Sequence, residues 1–218
     1  MNTLDKNLIR KYICSDPQNV VVVSHTSPDG DAIGSSLAMN RLMKAFGHKS
    51  VVIIPDTFPD YYGWLPGIGD IIVAENEPEK ALELISNATL QVIVDMNALK
   101  RALKLESALQ NAKADRILID HHILTNNIFE AAYSSPDVSS TSELVFDVIE
   151  SINPDLIDKD IAEYIYTGIV TDTANFFHGN MTDRTFEINA ELIRKGIDIV
   201  KINQVLYHTF SESRIRLL

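Results

Sequence analysis

The chain has 218 residues, with 19 Lys and Arg against 30 Asp and Glu, a formal charge of −11, and 45% hydrophobic residues. That length suits one large domain or two small ones with a real core, and the apolar share excludes a disordered acidic tail. The excess of acid excludes a protein that clamps long duplex DNA, because phosphates are held by Lys and Arg; it leaves room for an acidic pocket that holds metal ions. The single cysteine, Cys14, has no internal disulfide partner, and no secretory signal opens the sequence. A reducing cytosol is therefore expected, with Cys14 packed rather than redox-active. No apolar run approaches the roughly 18 residues that span a bilayer, so no membrane is expected.

Four short β-branched runs, apolar but for Gln91 and Arg116 at the starts of two, predict strands at 20–23, 51–54, 91–94 and 116–119. Such runs suit strands buried on both faces of a parallel sheet. Between the first two, Ile33, Leu37, Leu42, Met43 and Phe46 recur at helical spacing over 32–46, and Gly47 is placed to close that helix. Further crossover helices are expected at 79–86 and 99–109. Beyond residue 120 the pattern turns mainly helical, with helices at 142–152, 161–170 and 185–195, the last closed by Gly196. The stretch 198–218 is amphipathic to its end. The fold class is α/β: a parallel sheet flanked by helices, with a helix-rich C-terminal part.

The acids fall at strand ends. The first strand runs into Ser24-His25-Thr26-Ser27-Pro28-Asp29-Gly30-Asp31, the third into Asp95, and the fourth into Asp120-His121-His122. A further acid, Asp172, follows the helix at 161–170. Ligands of open parallel sheets bind beyond the carboxyl ends of the strands, so these groups would share one crevice. Crowded carboxylates resist ionisation unless a cation neutralises them. A mixture of Asp and His suits Mg, Mn, Fe or Zn, and about seven ligands suffice for two ions. Two ions about 3.5–4 Å apart bind phosphate oxygens and activate water, which points to phosphoester hydrolysis. Blander roles compete residue by residue: Asp31 as cap of the helix behind it, and Asp120-His121-His122 as a loop with a satisfied histidine. Trp64 with Tyr61 and Tyr62 reads either as a base-stacking surface or as packing.

These segments resemble the DHH phosphoesterase superfamily, named for Asp-His-His as it stands at 120–122. The stretch 25–36 is similar to the family's first motif, Asp95 to the second, 120–122 to the third, and Gly168 through Asp172-Thr173 to the fourth. Within the superfamily the chain resembles the NrnA-like branch of bifunctional oligoribonucleases and phosphoadenosine phosphate phosphatases, often named exopolyphosphatase-related. Asp95-Met96-Asn97 with Arg101, Leu65-Pro66-Gly67, Ser139-Ser140-Thr141-Ser142, and Tyr207 through Ser211-Glu212-Ser213-Arg214 carry that likeness.

The resemblance implies a Rossmann-like DHH catalytic domain over 1–218. It implies one divalent ion held by His25, Asp29 and Asp95 and another by Asp31, Asp95, His121 and Asp172, with manganese first and magnesium or cobalt as alternatives. His122 would contact the scissile phosphate, Asp120 would orient a histidine, and Asn97 and Arg101 would contact phosphate, although Arg101 equally suits a solvated helix charge. The implied activity is two-metal hydrolysis of short oligonucleotides or nucleotide 3′,5′-bisphosphates. The implied partner is that substrate, with homodimerisation left open. Pyrophosphate or polyphosphate hydrolysis and a nucleotide-binding module with reduced catalysis are the alternatives. A dinucleotide-dependent oxidoreductase is disfavoured, because no Gly-x-Gly-x-x-Gly follows the first strand. Two departures stand out: Ala174-Asn175 where relatives commonly have glycine, and a second, glycine-rich C-terminal domain expected beyond residue 218.

Overall fold

The structure, a computed structural model, describes residues 3–124 and 128–208. The chain runs β1 (Thr3–Leu4), α1 (Lys6–Ile13), β2 (Asn19–Val23), α2 (Gly30–Ala45), β3 (Lys49–Ile54), β4 (Ile72–Val73), α3 (Pro78–Asn87), β5 (Leu90–Val94) and α4 (Glu106–Asn111). It continues through β6 (Asp115–Asp120), β7 (Ala131–Ser134), α5 (Thr141–Ile152), α6 (Lys159–Asp172), α7 (Asp183–Arg194) and α8 (Ile199–His208). The sheet order is β1-β7-β6-β5-β2-β3-β4; six strands are parallel, and β1 pairs antiparallel with β7. The fold is α/β, as the apolar runs imply.

Period-two alternation explains why those runs stay apolar beyond their starts. Val20, Val22, Val92, Val94, Ile117 and Ile119 join a core with α2, α5 and α6, while Val21, Val23, Ile93 and Leu118 join a second core with α3 and α4 on the other face. With both faces covered, the exposed polar residues of these strands stand at their starts, as Asn19, Lys49 and Asp115 do.

The strand order also sets where a ligand goes. From β2 the chain builds outward through β3 and β4; from β5 it builds the other way through β6 and β7. Adjacent strands β2 and β5 thus leave the sheet in opposite directions, and a crevice opens beyond their carboxyl ends. His25 and Asp95 follow those two ends.

Helix α2 is the central helix, buried at thirteen of its sixteen positions. It packs on α6 through glycine: a Cβ on Gly34 would stand 2.3 Å from the Tyr164 carbonyl oxygen, and one on Gly168 would stand 1.9 Å from Ser142 Oγ. The expected glycine stops are present, with Gly47 at φ 85° and Gly196 at φ 86° just past their helices.

Three expectations change. The segment 99–109 is not one helix: a 3-10 stretch, Leu99–Leu105, precedes α4, with Leu103 at φ 45° and ψ −107°. The bend serves a distant segment: the Arg101 carbonyl accepts the Thr26 N–H at 2.9 Å and ties this stretch to the loop after β2. Beyond residue 120 the chain first adds a strand, β7, whose Ala-Ala-Tyr-Ser is too short and mixed to stand out. Cys14 is exposed at the C-terminal cap of α1, not packed. Tyr62 is buried in the core and Trp64 and Tyr61 pack against it, so packing accounts for the aromatic cluster. The residues 211–214 that carry part of the branch likeness lie outside the described residues. Among the described residues, no helix is long and apolar enough to cross a membrane.

Candidate metal centre

The loop after β2 is shaped by its own polar groups. His25 Nδ1 lies 2.7 Å from the Thr26 carbonyl oxygen, which can only accept, so Nδ1 carries the proton and Nε2 faces the crevice. There Nε2 stands 3.2 Å from Asp95 Oδ2. Asp29, not Asp31, caps α2: its Oδ1 accepts from the N–H groups of Asp31 and Ala32, both at 3.0 Å. The capping role thus falls two residues earlier than that reading of Asp31 suggests, and Asp31 is free for other work.

Asp31 is fully buried in the first turn of α2. Its Oδ2 accepts from the Thr141 N–H at 2.7 Å and its Oδ1 from the Ser142 N–H at 2.8 Å. These amides open α5 and have no partner within that helix. Burial, then the charge of Asp29, push the Asp31 carboxyl up to about 6, against the pull of those two N–H groups.

Asp95 sits at the end of β5 in the left-handed region, at φ 55°. For a residue with a side chain that conformation is costly and is held by its surroundings. Burial and the charges of Asp31, Asp29 and Asp120 hold its carboxyl well above the usual carboxylate range. Asp172, the last residue of α6, is raised to about 6 by burial and by Asp31.

The two histidines after β6 differ. His121 Nε2 lies 3.5 Å from Asp95 Oδ1 and its Nδ1 3.7 Å from Asp172 Oδ2. Burial lowers its pKa, which favours the neutral imidazole a metal requires. His122 Nδ1 lies 2.8 Å from Asp120 Oδ1, and its Nε2 3.3 Å from Arg101 Nη1. A guanidinium only donates, so Nε2 accepts there and Nδ1 donates to Asp120; that carboxylate in turn raises the His122 pKa.

The donor set fits metal ions. Three groups have donor atoms within 4.8 Å of one another: His25, Asp29 and Asp95; Asp31, His121 and Asp172; and Asp95, His121 and His122. Donors bonded at about 2.0–2.2 Å to one ion stand about 3–3.5 Å apart, the scale of the spacings around Asp95. His25 Nε2 opposite a carboxylate, and the carboxyls of Asp31, Asp95 and Asp172, raised by burial and then by neighbouring carboxylates, form a donor set that a cation would suit.

The structure therefore brings together all six residues expected as metal ligands, with His122, Asp120 and Arg101 beside them. Asn97 is used differently, its amide donating to the Ile123 carbonyl oxygen at 2.9 Å. Two residues not singled out from the sequence also reach the site. Thr141 bonds to Asp31 and Asp95. Asp56, just beyond β3, accepts from Thr26 Oγ1 at 2.7 Å and from the Ser27 N–H at 2.8 Å, holding Ser27 at φ 51°. Its signal was the same as for the other acids, an Asp at the end of a parallel strand. A cavity of about 450 Å³ lined by Arg41, Lys44, Asp155 and Asp158 lies at the other end of α2; Arg41 there pairs with Asp158 and Asp160.

Comparison with known proteins gives the family and several relatives. A family model, DHH family, N-terminal domain, matches residues 19–169. The cyclic-di-AMP phosphodiesterase GdpP of Bacillus subtilis is 30% identical over 210 residues, covering 91% of this chain and 31% of that protein. The bifunctional oligoribonuclease and PAP phosphatase NrnA of Thermus thermophilus is 28% identical over 187 residues, covering 86% of this chain and 53% of that protein. The crystal structure of an exopolyphosphatase-related protein from Bacteroides fragilis superposes with a TM-score of 0.91 at 39% identity, covering 97% of this chain and 62% of that one. The chain thus spans about a third to three fifths of the length of these relatives.

Proposed function

The chain belongs to the DHH family, whose phosphoesterases hydrolyse phosphoester bonds, and on that premise we propose that it is a metal-dependent phosphoesterase acting on short oligonucleotides or nucleotide 3′,5′-bisphosphates. The observation that carries this reading is the convergence of His25, Asp29, Asp31, Asp95, His121 and Asp172 on one crevice, beside Arg101 and the carboxylate-paired His122.

In this reading His25, Asp29 and Asp95 would hold one divalent ion, and Asp31, His121 and Asp172, with Asp95, would hold a second. Manganese suits the mixed oxygen and imidazole set best, with magnesium or cobalt as alternatives. When bound, such ions neutralise phosphate charge and activate water for in-line attack. The remaining work belongs to the chain. Arg101 offers its guanidinium to a non-bridging phosphate oxygen, which competes with His122 Nε2 for the same N–H. Once Arg101 turns to phosphate, His122 Nε2 is freed, and the pKa raised by Asp120 favours its protonation, so that Nε2 can give the leaving oxygen a proton. Asp120 fixes the ring through Nδ1. Among the described residues one arginine stands at the cluster, and with a net charge of −11 this supports one phosphate of a small substrate over a long polyanion.

The GdpP relative supports a second substrate of the same size, a cyclic dinucleotide. The test is turnover of the full chain with Mn²⁺ on diribonucleotides, phosphoadenosine phosphate, cyclic di-AMP and inorganic pyrophosphate. Release of mononucleotide or of 3′-phosphate is expected. Turnover of pyrophosphate alone, or of none of the four, would overturn the substrate claim.

A further inference from the structure

One residue touches three of the candidate ligands at once. Thr141 is the first residue of α5, fully buried, and follows the cap Ser140, whose Oγ accepts the Glu143 N–H. Its backbone N–H donates to Asp31 Oδ2 at 2.7 Å. Its hydroxyl donates to Asp95 Oδ1 at 3.0 Å and accepts the His121 N–H at 3.3 Å. A hydroxyl has one proton to give and lone pairs to accept with, so both bonds are satisfied together.

We propose that Thr141 is a positioning residue of the metal centre, whose hydroxyl sets the rotation of the Asp95 carboxylate so that one oxygen serves each ion. This rests on the metal-centre reading above and assigns a role to a residue that touches neither substrate nor metal. Asp95 Oδ2 faces His25 at 3.2 Å, and Oδ1 faces His121 at 3.5 Å. A carboxylate that must serve two sides has to be held flat to both. The backbone of Asp95 does not supply that constraint, being in a conformation that needs support itself. Thr141 does: it is β-branched, so its χ1 is stiff, and its hydroxyl grips Oδ1. The same hydroxyl anchors the His121 backbone, which keeps that imidazole opposite Oδ1. The amides that open α5 hold Asp31 on the far side. Thr141 therefore ties the α2, β5 and β6 contributions into one frame.

Removing the hydroxyl while keeping the shape isolates this role. Thr141→Val retains the amide bond to Asp31 and loses the bonds to Asp95 and His121; Thr141→Ser keeps the hydroxyl. Titration of the metal-free full chain with Mn²⁺ by calorimetry is the measurement, with the melting temperature of each metal-free variant beside it. Partners of metal ligands typically carry 10- to 100-fold in affinity, so Val is expected to weaken Mn²⁺ binding by about that factor and Ser by no more than roughly threefold. A merely structural threonine would lower the metal-free melting temperature and leave the affinity of the folded chain unmoved. Affinity unchanged in a folded Val variant, or a Ser variant as weak as Val, would overturn the proposal. Thr141→Ala carries the same expectation should Val not fold. Hydrogen exchange at the His121 amide needs no variant: protection is expected, and exchange at the rate of an exposed amide would overturn the proposal. Wild-type chain that takes up no Mn²⁺ would overturn the metal centre and this role together, whereas wild-type binding matched by Val would overturn this role alone.

Discussion

The backbone N–H of Thr141 meets the carboxylate of Asp31 at 2.7 Å across 110 positions of sequence. That bond puts the start of one helix against the first turn of another, with an acid between them that has almost no contact with water. Asp31 is held in place, yet it remains costly to ionise, because burial and then the neighbouring Asp29 oppose its charge. The same tension runs through Asp95 and Asp172, and it makes the metal-free chain a molecule under electrostatic load.

Stability against pH exposes that load. The Asp172 carboxyl is raised from an ordinary value of 3.8 to about 6 in the folded chain. A carboxyl with a raised folded pKa binds its proton more tightly folded than unfolded, so stability falls as pH rises from about 4 to about 6. Above that window the penalty is complete; below it both states are protonated and there is none. Asp172→Asn is therefore expected to raise the melting temperature of metal-free protein at pH 7.5 and leave it nearly unchanged at pH 4. Each kcal/mol relieved amounts to about 2–4 °C for a chain of this size. With Mn²⁺ present the order should reverse, because the variant loses a ligand and with it the stabilisation by bound metal. An equal shift at both pH values without metal would contradict the raised carboxyl.

Gly168 sits where α5 and α6 close on the site. A Cβ there would stand 1.9 Å from Ser142 Oγ and 2.7 Å from Asp31 Oδ1. Gly168→Ala is expected to destabilise by about 1–3 kcal/mol, the usual range for overpacking, and to weaken Mn²⁺ binding as Asp31 is displaced. Urea unfolding and metal titration measure the two effects. A fully stable variant with native metal affinity would show that the helices pack less closely than described.

The turn after Asp172 carries strain in the opposite sense. Ala174, Asn175 and Phe176 lie at φ 47°, 60° and 63°, three successive residues in the left-handed region. Glycine accepts that region freely, whereas Ala174 carries a Cβ there. Ala174→Gly is expected to stabilise the chain by about 0.5–1 kcal/mol, the left-handed penalty of an L-residue less the extra entropy of glycine. Chemical denaturation reads this directly. Destabilisation would mean that the Ala174 methyl packs more than its conformation costs.

How far the sequence alone reaches is set by which signals are local. The strands around Val22, Val92 and Leu118 were legible because burial on both faces leaves a run with no polar interruption. The acids were legible because parallel strand ends share one side of the sheet. The exchange of duties between Asp29 and Asp31 was not, because both stand within reach of the same helix start; only the arrival of α5 from 110 positions away decides it. The break at Leu103 follows from the Arg101 carbonyl serving Thr26, a long-range demand invisible in the helical spacing of that segment. Thr141 was one of several small polar residues in a run, and nothing within the run shows which hydroxyl meets Asp95. Asp56 could have been found, since Ile54-Pro55-Asp56 repeats the pattern of an acid beyond a parallel strand.

The most direct test is a crystal of the full chain grown with Mn²⁺, with anomalous diffraction recorded at the manganese edge. Two peaks about 3.5–4 Å apart are expected, one among His25, Asp29 and Asp95 and the other among Asp31, His121 and Asp172, with the Asp95 carboxylate between them. No peak at this cluster, or manganese bound only at sites that Asp95 does not reach, would contradict the metal centre and the phosphoester chemistry built on it.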